Sequence, residues 1–126
     1  MLISKARGAS SLALALLLAA GLAAGQAWAH SGLRRSEPPA ESKLRRPPAE
    51  VKLTFSEPLE PAYSSVKVTD AGGAEVDSGD SRVDRSNPTI LRASLKPLGA
   101  GSYTVIWRVL SVDGHTTDGR FGFQVE

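Results

Sequence analysis

Short segments in which apolar and polar residues alternate recur along most of this chain, and turns rich in proline and glycine separate them. In 51–56 and 120–125 the apolar side chains occupy every second position, which is the period of a half-buried β-strand. No segment after residue 29 shows sustained helical periodicity. About seven short strands at this spacing predict an all-β domain, either a Greek-key β-sandwich or a small barrel. The predicted strands cover 30–36, 51–56, 65–69, 74–83, 89–95, 103–110 and 120–125, with none in the polar segment 40–48 that contains Pro47-Pro48.

The first 29 residues have the composition of a secretory signal peptide. Two basic residues precede an apolar run over 11–24, and Ala27-Trp28-Ala29 carries small residues at the two positions that a signal peptidase recognises. The apolar run is shorter than the roughly 20 residues that a membrane-spanning helix needs. We therefore predict a cleaved signal peptide over 1–29 and one exported, soluble domain over 30–126.

The residue types that are missing exclude several kinds of site. The chain has no Cys, and its only Met is Met1, so the exported domain offers no sulfur ligand and no thiolate for redox chemistry. Soft ions such as Cu(I) normally use thiolate or thioether ligands. Lys5 and Arg7, inside the predicted signal peptide, account for the formal net charge of +2. The exported domain is therefore neutral overall and lacks the basic excess typical of nucleic-acid binding.

The predicted strand over 103–110 leads directly towards Asp113-Gly114-His115. Both of its faces are largely apolar, which predicts a central position in a sheet, and we expect Trp107 to lie in the core. Gly114 permits a tight turn, so a carboxylate and an imidazole emerge together from the end of a rigid strand, where functional groups are often carried. The alternative interpretation is a plain turn, in which Asp113 bonds nearby backbone amides and His115 is exposed.

His30 becomes the first residue if the signal peptide is cut after Ala29, and with His115 it completes the histidines of the chain. Its free α-amine and its imidazole Nδ1 could chelate one metal ion, although an ordinary frayed terminus is the alternative. A sandwich in which the first strand lies beside the late strands would bring His30 to Asp113 and His115. One amine, two imidazoles and one carboxylate form a nitrogen and oxygen ligand set that suits Cu(II), with Zn(II) as the next candidate.

Several motifs in this order resemble the CopC family of periplasmic copper-binding proteins, and the resemblance covers essentially the whole exported domain. It implies a β-barrel of cupredoxin-like or immunoglobulin-like kind, and a Cu(II) site whose ligand positions match His30, Asp113 and His115. Glu57 matches an acid placed near that site in some members, although capping of the Pro58 turn is an equally good role for it. The motifs are His30 after an A-x-A site, Ser36-Glu-Pro-Pro, Leu53-Thr-Phe-Ser-Glu57-Pro-Leu, the run from Leu98 to His115, and Gly119-Arg-Phe-Gly-Phe-Gln-Val125.

The sequence departs from the two-site members of that family, which carry a Met-rich loop with an additional His for Cu(I). The corresponding segment, 71–84, has neither Met nor His, so we predict no Cu(I) site. The leading hypothesis is a non-catalytic periplasmic protein that buffers or carries Cu(II) in copper homeostasis, resistance or uptake. The alternatives are a histidine-brace copper oxidase or monooxygenase, and a metal-free immunoglobulin-like interaction module. A monomer is expected, and the resemblance suggests an inner-membrane copper transport protein as its partner.

Overall fold

The computed structural model describes residues 32–126, which form a β-sandwich of two four-stranded sheets. This confirms the predicted all-β sandwich. No helix in the described part is long and apolar enough to cross a membrane, and its helical structure is limited to a 3-10 turn over Pro61–Tyr63. The predicted signal peptide and His30 lie outside the described residues. The strands are β1 (Leu33–Glu37), β2 (Ser42–Leu44), β3 (Glu50–Phe55), β4 (Ser65–Asp70), β5 (Arg82–Val83), β6 (Ile90–Ser94), β7 (Gly101–Leu110) and β8 (Thr116–Val125).

Consecutive strands cross repeatedly from one sheet to the other. The first sheet has the order β1-β3-β6-β5 and the second has the order β2-β8-β7-β4. Strand β7 is paired on both sides, antiparallel to β4 and to β8, which confirms its predicted central position. Strands β7 and β8 are ten residues long each, so this hairpin forms the longest continuous ladder among the described strands.

Two segments differ from the sequence prediction. Ser42–Leu44 forms strand β2, parallel to β8, within the polar segment where no strand was expected. Its half-buried Leu44 packs against the core, and pairing with β8 holds the strand, so alternation in the sequence does not reveal it. Conversely, the strand predicted over 74–83 is reduced to Arg82–Val83. There the buried side chain of Asp77 accepts the Val68 amide at 2.9 Å, replacing a backbone ladder bond with a side-chain one.

The core consists of alternate side chains from the inner faces of both sheets. Trp107, on β7, is 1% exposed, which confirms its predicted place in the core. Its indole meets Phe55 of the opposite sheet edge to face, with ring centroids 5.1 Å apart, a favoured aromatic geometry. The buried apolar residues are Val51, Leu53, Phe55, Leu59, Val66, Val68, Ile90, Leu91, Ala93, Leu95, Leu98, Tyr103, Val105, Trp107, Val109, Phe121, Phe123 and Val125.

Gly119 makes room for the Trp107 indole. The two residues are direct partners in the β7–β8 ladder. A Cβ added at Gly119 would lie 2.6 Å from Trp107 Cζ2, closer than non-bonded carbon atoms approach. The largest core side chain therefore requires a residue without a side chain on the neighbouring strand.

We predict that Gly119→Ala lowers the free energy of unfolding by about 1–3 kcal/mol, because an added methyl group in a filled core forces the indole or the strand to shift. Urea unfolding of the exported domain measures this. Gly99→Ala is the matched control, since a Cβ at Gly99 meets no atom within 4 Å. Equal stability of Gly119→Ala and the parent chain would show that the indole does not depend on this gap.

Candidate metal centre

A cleft of about 320 Å³ lies at the end of the sandwich where β7 ends and β8 begins. Residues of both sheets line it. Phe55, Leu59 and Val109 form an apolar wall, and the polar side chains come mainly from two loops. The polar lining residues are Ser56, Glu57, Ser111, Asp113, His115 and Thr117. The cleft therefore combines a rigid apolar wall with a rim of oxygen and nitrogen donors.

The loop between β7 and β8 is a compact turn held by its own backbone. The Ser111 amide donates to the His115 carbonyl at 2.9 Å, and the Gly114 amide donates to the Ser111 carbonyl at 2.9 Å. Gly114 has a φ of 97°, a left-handed conformation in which a residue with a Cβ would be strained. The predicted role of Gly114 in the turn is therefore confirmed.

A second segment fixes this loop from the side. The Val112 amide donates to the Pro58 carbonyl at 2.9 Å, and the Glu60 amide donates to the Leu110 carbonyl at 2.8 Å. Leu59, which is buried, forms an isolated bridge with Ser111. The loop is thus part of the hydrogen-bonded scaffold, and its side chains project from a fixed backbone.

Asp113 and His115 come together at the rim of the cleft. Asp113 Oδ1 lies 3.2 Å from His115 Nδ1, and the same oxygen accepts the Ser111 hydroxyl and, at 3.4 Å, the His115 amide. The His115 side chain is 81% exposed. The features expected of a plain turn are therefore present, and in addition the imidazole nitrogen faces the carboxylate.

The pKa of the Asp113 carboxyl is held below its ordinary value. The main cause is the hydrogen bond donated by the Ser111 hydroxyl, followed by the contact with His115. Hydrogen bonds to the ionised form favour it over the protonated form. Asp113 is therefore an anion at neutral pH, which is the form that binds a metal ion.

The separation of the two side-chain donors fits neighbouring ligands of one divalent ion. Nitrogen and oxygen ligands lie about 2.0–2.2 Å from an ion such as zinc, so two adjacent ligands at right-angle to tetrahedral geometry are roughly 2.9–3.4 Å apart. The Nδ1 to Oδ1 distance is 3.2 Å. The separation of the two atoms therefore suits one ion, which would replace the contact that they make with each other.

The described residues supply two of the three predicted ligands. Within 32–126, no group of three His, Cys, Asp or Glu side chains is close enough to hold an ion. Glu57 is exposed and lines the same cleft, but it does not complete such a group. The third predicted ligand, His30, lies outside the described residues.

The start of the described chain enters the same cleft. Gly32 is one of the lining residues, and its carbonyl accepts the Ser56 amide at 2.8 Å. It has a φ of 92°, and the β1–β3 register shifts immediately afterwards, between Leu33 and Arg35. Bulges of this kind redirect a strand, and here the bend lies where the chain meets the cleft.

The predicted route by which the first strand approaches the late strands is wrong. Strand β1 pairs with β3 in the sheet opposite to β7 and β8. Strand β1 therefore lies at the edge of its sheet, next to β3. Gly32 nevertheless lines the cleft that holds Asp113 and His115. The start of the chain therefore meets these two residues from the opposite sheet, and not from a neighbouring strand of the same sheet.

Ser111 is a site residue to which the sequence analysis assigned no role. It is 8% exposed, and it is one of three buried polar residues in the described part. A usable signal was present, because a Ser at the end of an apolar strand and two positions before an Asp is placed to bond locally. Its contact with Asp113 could therefore have been suspected from spacing alone.

Comparisons with known proteins identify a family and several relatives. A family model described as the CopC domain matches residues 33–126. Protein YobA of Escherichia coli strain K12 is 34% identical over 123 residues, covering 94% of this chain and 97% of that protein. Copper resistance protein C of Xanthomonas campestris pv. juglandis is 32% identical over 117 residues, covering 88% and 91%. The crystal structure of CopC from Methylosinus trichosporium OB3b superposes with a TM-score of 0.67 at 37% identity, covering 77% of this chain and 94% of that one.

Proposed function

The chain belongs to the CopC domain family, and from this premise we propose that it binds one Cu(II) ion as cargo in the cleft beside Asp113 and His115. The observation that carries the proposal is the pair of donors 3.2 Å apart at the rim of a cleft that Gly32 also lines. Relatives named copper resistance protein C support copper as the metal.

We propose His30 as the third ligand residue. It precedes Gly32 by two positions, and two residues of extended chain span at most about 7 Å. Because Gly32 lines the cleft that holds Asp113 and His115, this short span supports His30 as a ligand of the same ion. Glu57, from the same cleft, is a candidate for a weaker additional oxygen contact.

The ligand set favours Cu(II) over other ions. It consists of nitrogen and oxygen donors, which suit a tetragonal Cu(II) site, and Cu(II) is also the tightest-binding ion of the divalent series. Zn(II) is the next candidate. Because the chain has no Cys and no Met after Met1, the proposal includes no Cu(I) site.

The proposed role is that of a copper buffer or carrier that acts after export to the periplasm. A carboxylate ligand favours the higher oxidation state of copper, which speaks against the redox cycling that a histidine-brace oxidase needs. A metal-free interaction module would not require Gly32, Asp113 and His115 to line the same cleft, so the shared cleft favours a metal-binding role. Delivery to an inner-membrane copper transport protein remains a prediction from the family resemblance.

His115→Ala should weaken Cu(II) binding by more than roughly a hundredfold, because loss of a ligand costs more than the 10–100-fold typical of a group that only supports a ligand. Isothermal titration against a competing chelator measures the affinity. Thr116→Ala is the control, since Thr116 is the adjacent exposed residue and does not line the cleft. Unchanged affinity of His115→Ala would exclude the proposed site.

A chain with one extra Met before His30 should also bind Cu(II) more weakly while keeping the fold. The added residue converts the α-amine of His30 into an amide, whose lone pair is delocalised into the peptide bond. The comparison is the Cu(II) affinity of the extended chain and of the chain that begins at His30, with circular dichroism to establish equal folding. Equal affinities would show that the amine is not a ligand, and the site would then consist of side chains alone.

A further inference from the structure

Ser111 is a buried residue that lines the cleft and bonds to Asp113. Its side chain is buried, with the whole residue 8% exposed, and its hydroxyl contacts both Asp113 Oδ1 and, at 3.2 Å, the His115 carbonyl oxygen. Its backbone amide already donates to that same carbonyl at 2.9 Å. Ser111 therefore bonds to the side chain of Asp113 and to the backbone of His115.

The direction of the Ser111 hydroxyl bond follows from its chemistry. A serine hydroxyl has a single proton to donate, and both of its neighbours here are acceptors. The carbonyl of His115 is already satisfied by the Ser111 amide, whereas the carboxylate of Asp113 is charged and forms the stronger bond. The proton is therefore donated to Asp113 Oδ1.

We infer that Ser111 is a positioning residue of the metal site, whose hydroxyl holds the Asp113 carboxylate in the orientation that faces His115. This inference rests on the proposed function. The bonds from Ser111 and His115 all go to Oδ1, so Oδ2 is the carboxylate oxygen without a hydrogen bond among the described residues. The Asp113 side chain is otherwise about half exposed, at 47%, so the Ser111 hydroxyl is the buried group that restricts its rotation, beside the contacts with His115.

Fixing a ligand before the ion arrives removes part of the ordering cost of binding. Groups that hydrogen-bond to metal ligands commonly contribute 10–100-fold to metal affinity. A surface loop cannot supply this by packing, since Val112, Asp113 and His115 are all exposed. Backbone hydrogen bonds fix the main chain of the loop, and the buried hydroxyl of Ser111 adds a contact to the Asp113 side chain itself.

Ser64 offers a matched control on the same end of the sandwich. It is 6% exposed, and its hydroxyl accepts the Leu110 amide at 3.2 Å. It is thus a buried serine at the same end of the sandwich, but its hydroxyl bonds to Leu110 and to neither Asp113 nor His115. Ser64→Ala therefore measures how far Cu(II) affinity falls when any buried serine hydrogen bond near the end of β7 is lost.

The experiment compares the parent chain beginning at His30 with Ser111→Ala, Ser64→Ala, Asp113→Ala and the Ser111→Ala/Asp113→Ala double variant. Three quantities are measured: Cu(II) affinity by chelator competition, the copper hyperfine splitting by EPR, and amide hydrogen exchange at Gly114 and His115 in the metal-free protein. Thermal unfolding followed by circular dichroism establishes that each variant is folded.

Ser111→Ala is expected to lose roughly tenfold or more in Cu(II) affinity, to alter the hyperfine splitting, and to speed exchange of the loop amides. Ser64→Ala is expected to bind Cu(II) as the parent chain does. In the Asp113→Ala background, Ser111→Ala should cause no further loss of affinity, because the hydroxyl acts through that carboxylate.

If Ser111→Ala binds Cu(II) as tightly as the parent chain, the inference is wrong. It is also wrong if Ser111→Ala lowers Cu(II) affinity equally in the parent chain and in the Asp113→Ala chain. A Ser111→Ala chain that does not fold would also overturn it, since the hydroxyl would then serve the fold and not the ligand. Absence of Cu(II) binding by the parent chain would refute the proposed function instead. In that case unchanged amide exchange in Ser111→Ala would refute the inference separately, and faster exchange would support it.

Discussion

The register of the central hairpin depends on the packing of Trp107 against Gly119. The indole occupies the space that a side chain at 119 would fill, so sliding β8 by one residue would bring Asp118 or Arg120 opposite the ring. A slip of one position also turns every side chain of a strand to the other face. The same register aligns Leu110 with Thr116, and this alignment closes the loop that carries Asp113 and His115. The core contact therefore determines where the candidate ligands emerge.

The candidate site lies where the two sheets meet, and its parts come from both of them. Asp113 and His115 belong to the loop between β7 and β8, whereas Gly32 precedes β1 in the opposite sheet. If His30 is a ligand, a bound ion connects the start of the first sheet to the second. Binding would then add a cross-link between the sheets in a domain that has no Cys to form a disulfide, and a ligand that binds only the folded state stabilises it.

The sequence was sufficient to predict what depends on local pattern. Alternation along 51–56 and the apolar faces of 103–110 predicted the sandwich and the central strand, and Asp113-Gly114-His115 predicted a turn that presents two donors. The sequence was not sufficient where strand pairing depends on contacts between distant parts of the chain. Strand β2 depends on pairing with β8, and β1 pairs with β3 and not with a late strand. In 74–83, isolated bridges and side-chain bonds of Asp77 interrupt the predicted strand. The spacing of Ser111 and Asp113 indicates a local hydrogen bond, but the burial of Ser111 is not visible in a single sequence.

The most direct test of a Cu(II) site at Asp113 and His115 is anomalous diffraction at the copper absorption edge. Crystals would be grown from the chain that begins at His30 and loaded with one equivalent of Cu(II). The account predicts a single strong anomalous peak in the cleft, within bonding distance of Asp113, His115 and the first residue. A peak elsewhere on the domain, or a peak in the cleft that contacts neither Asp113 nor His115, would contradict it.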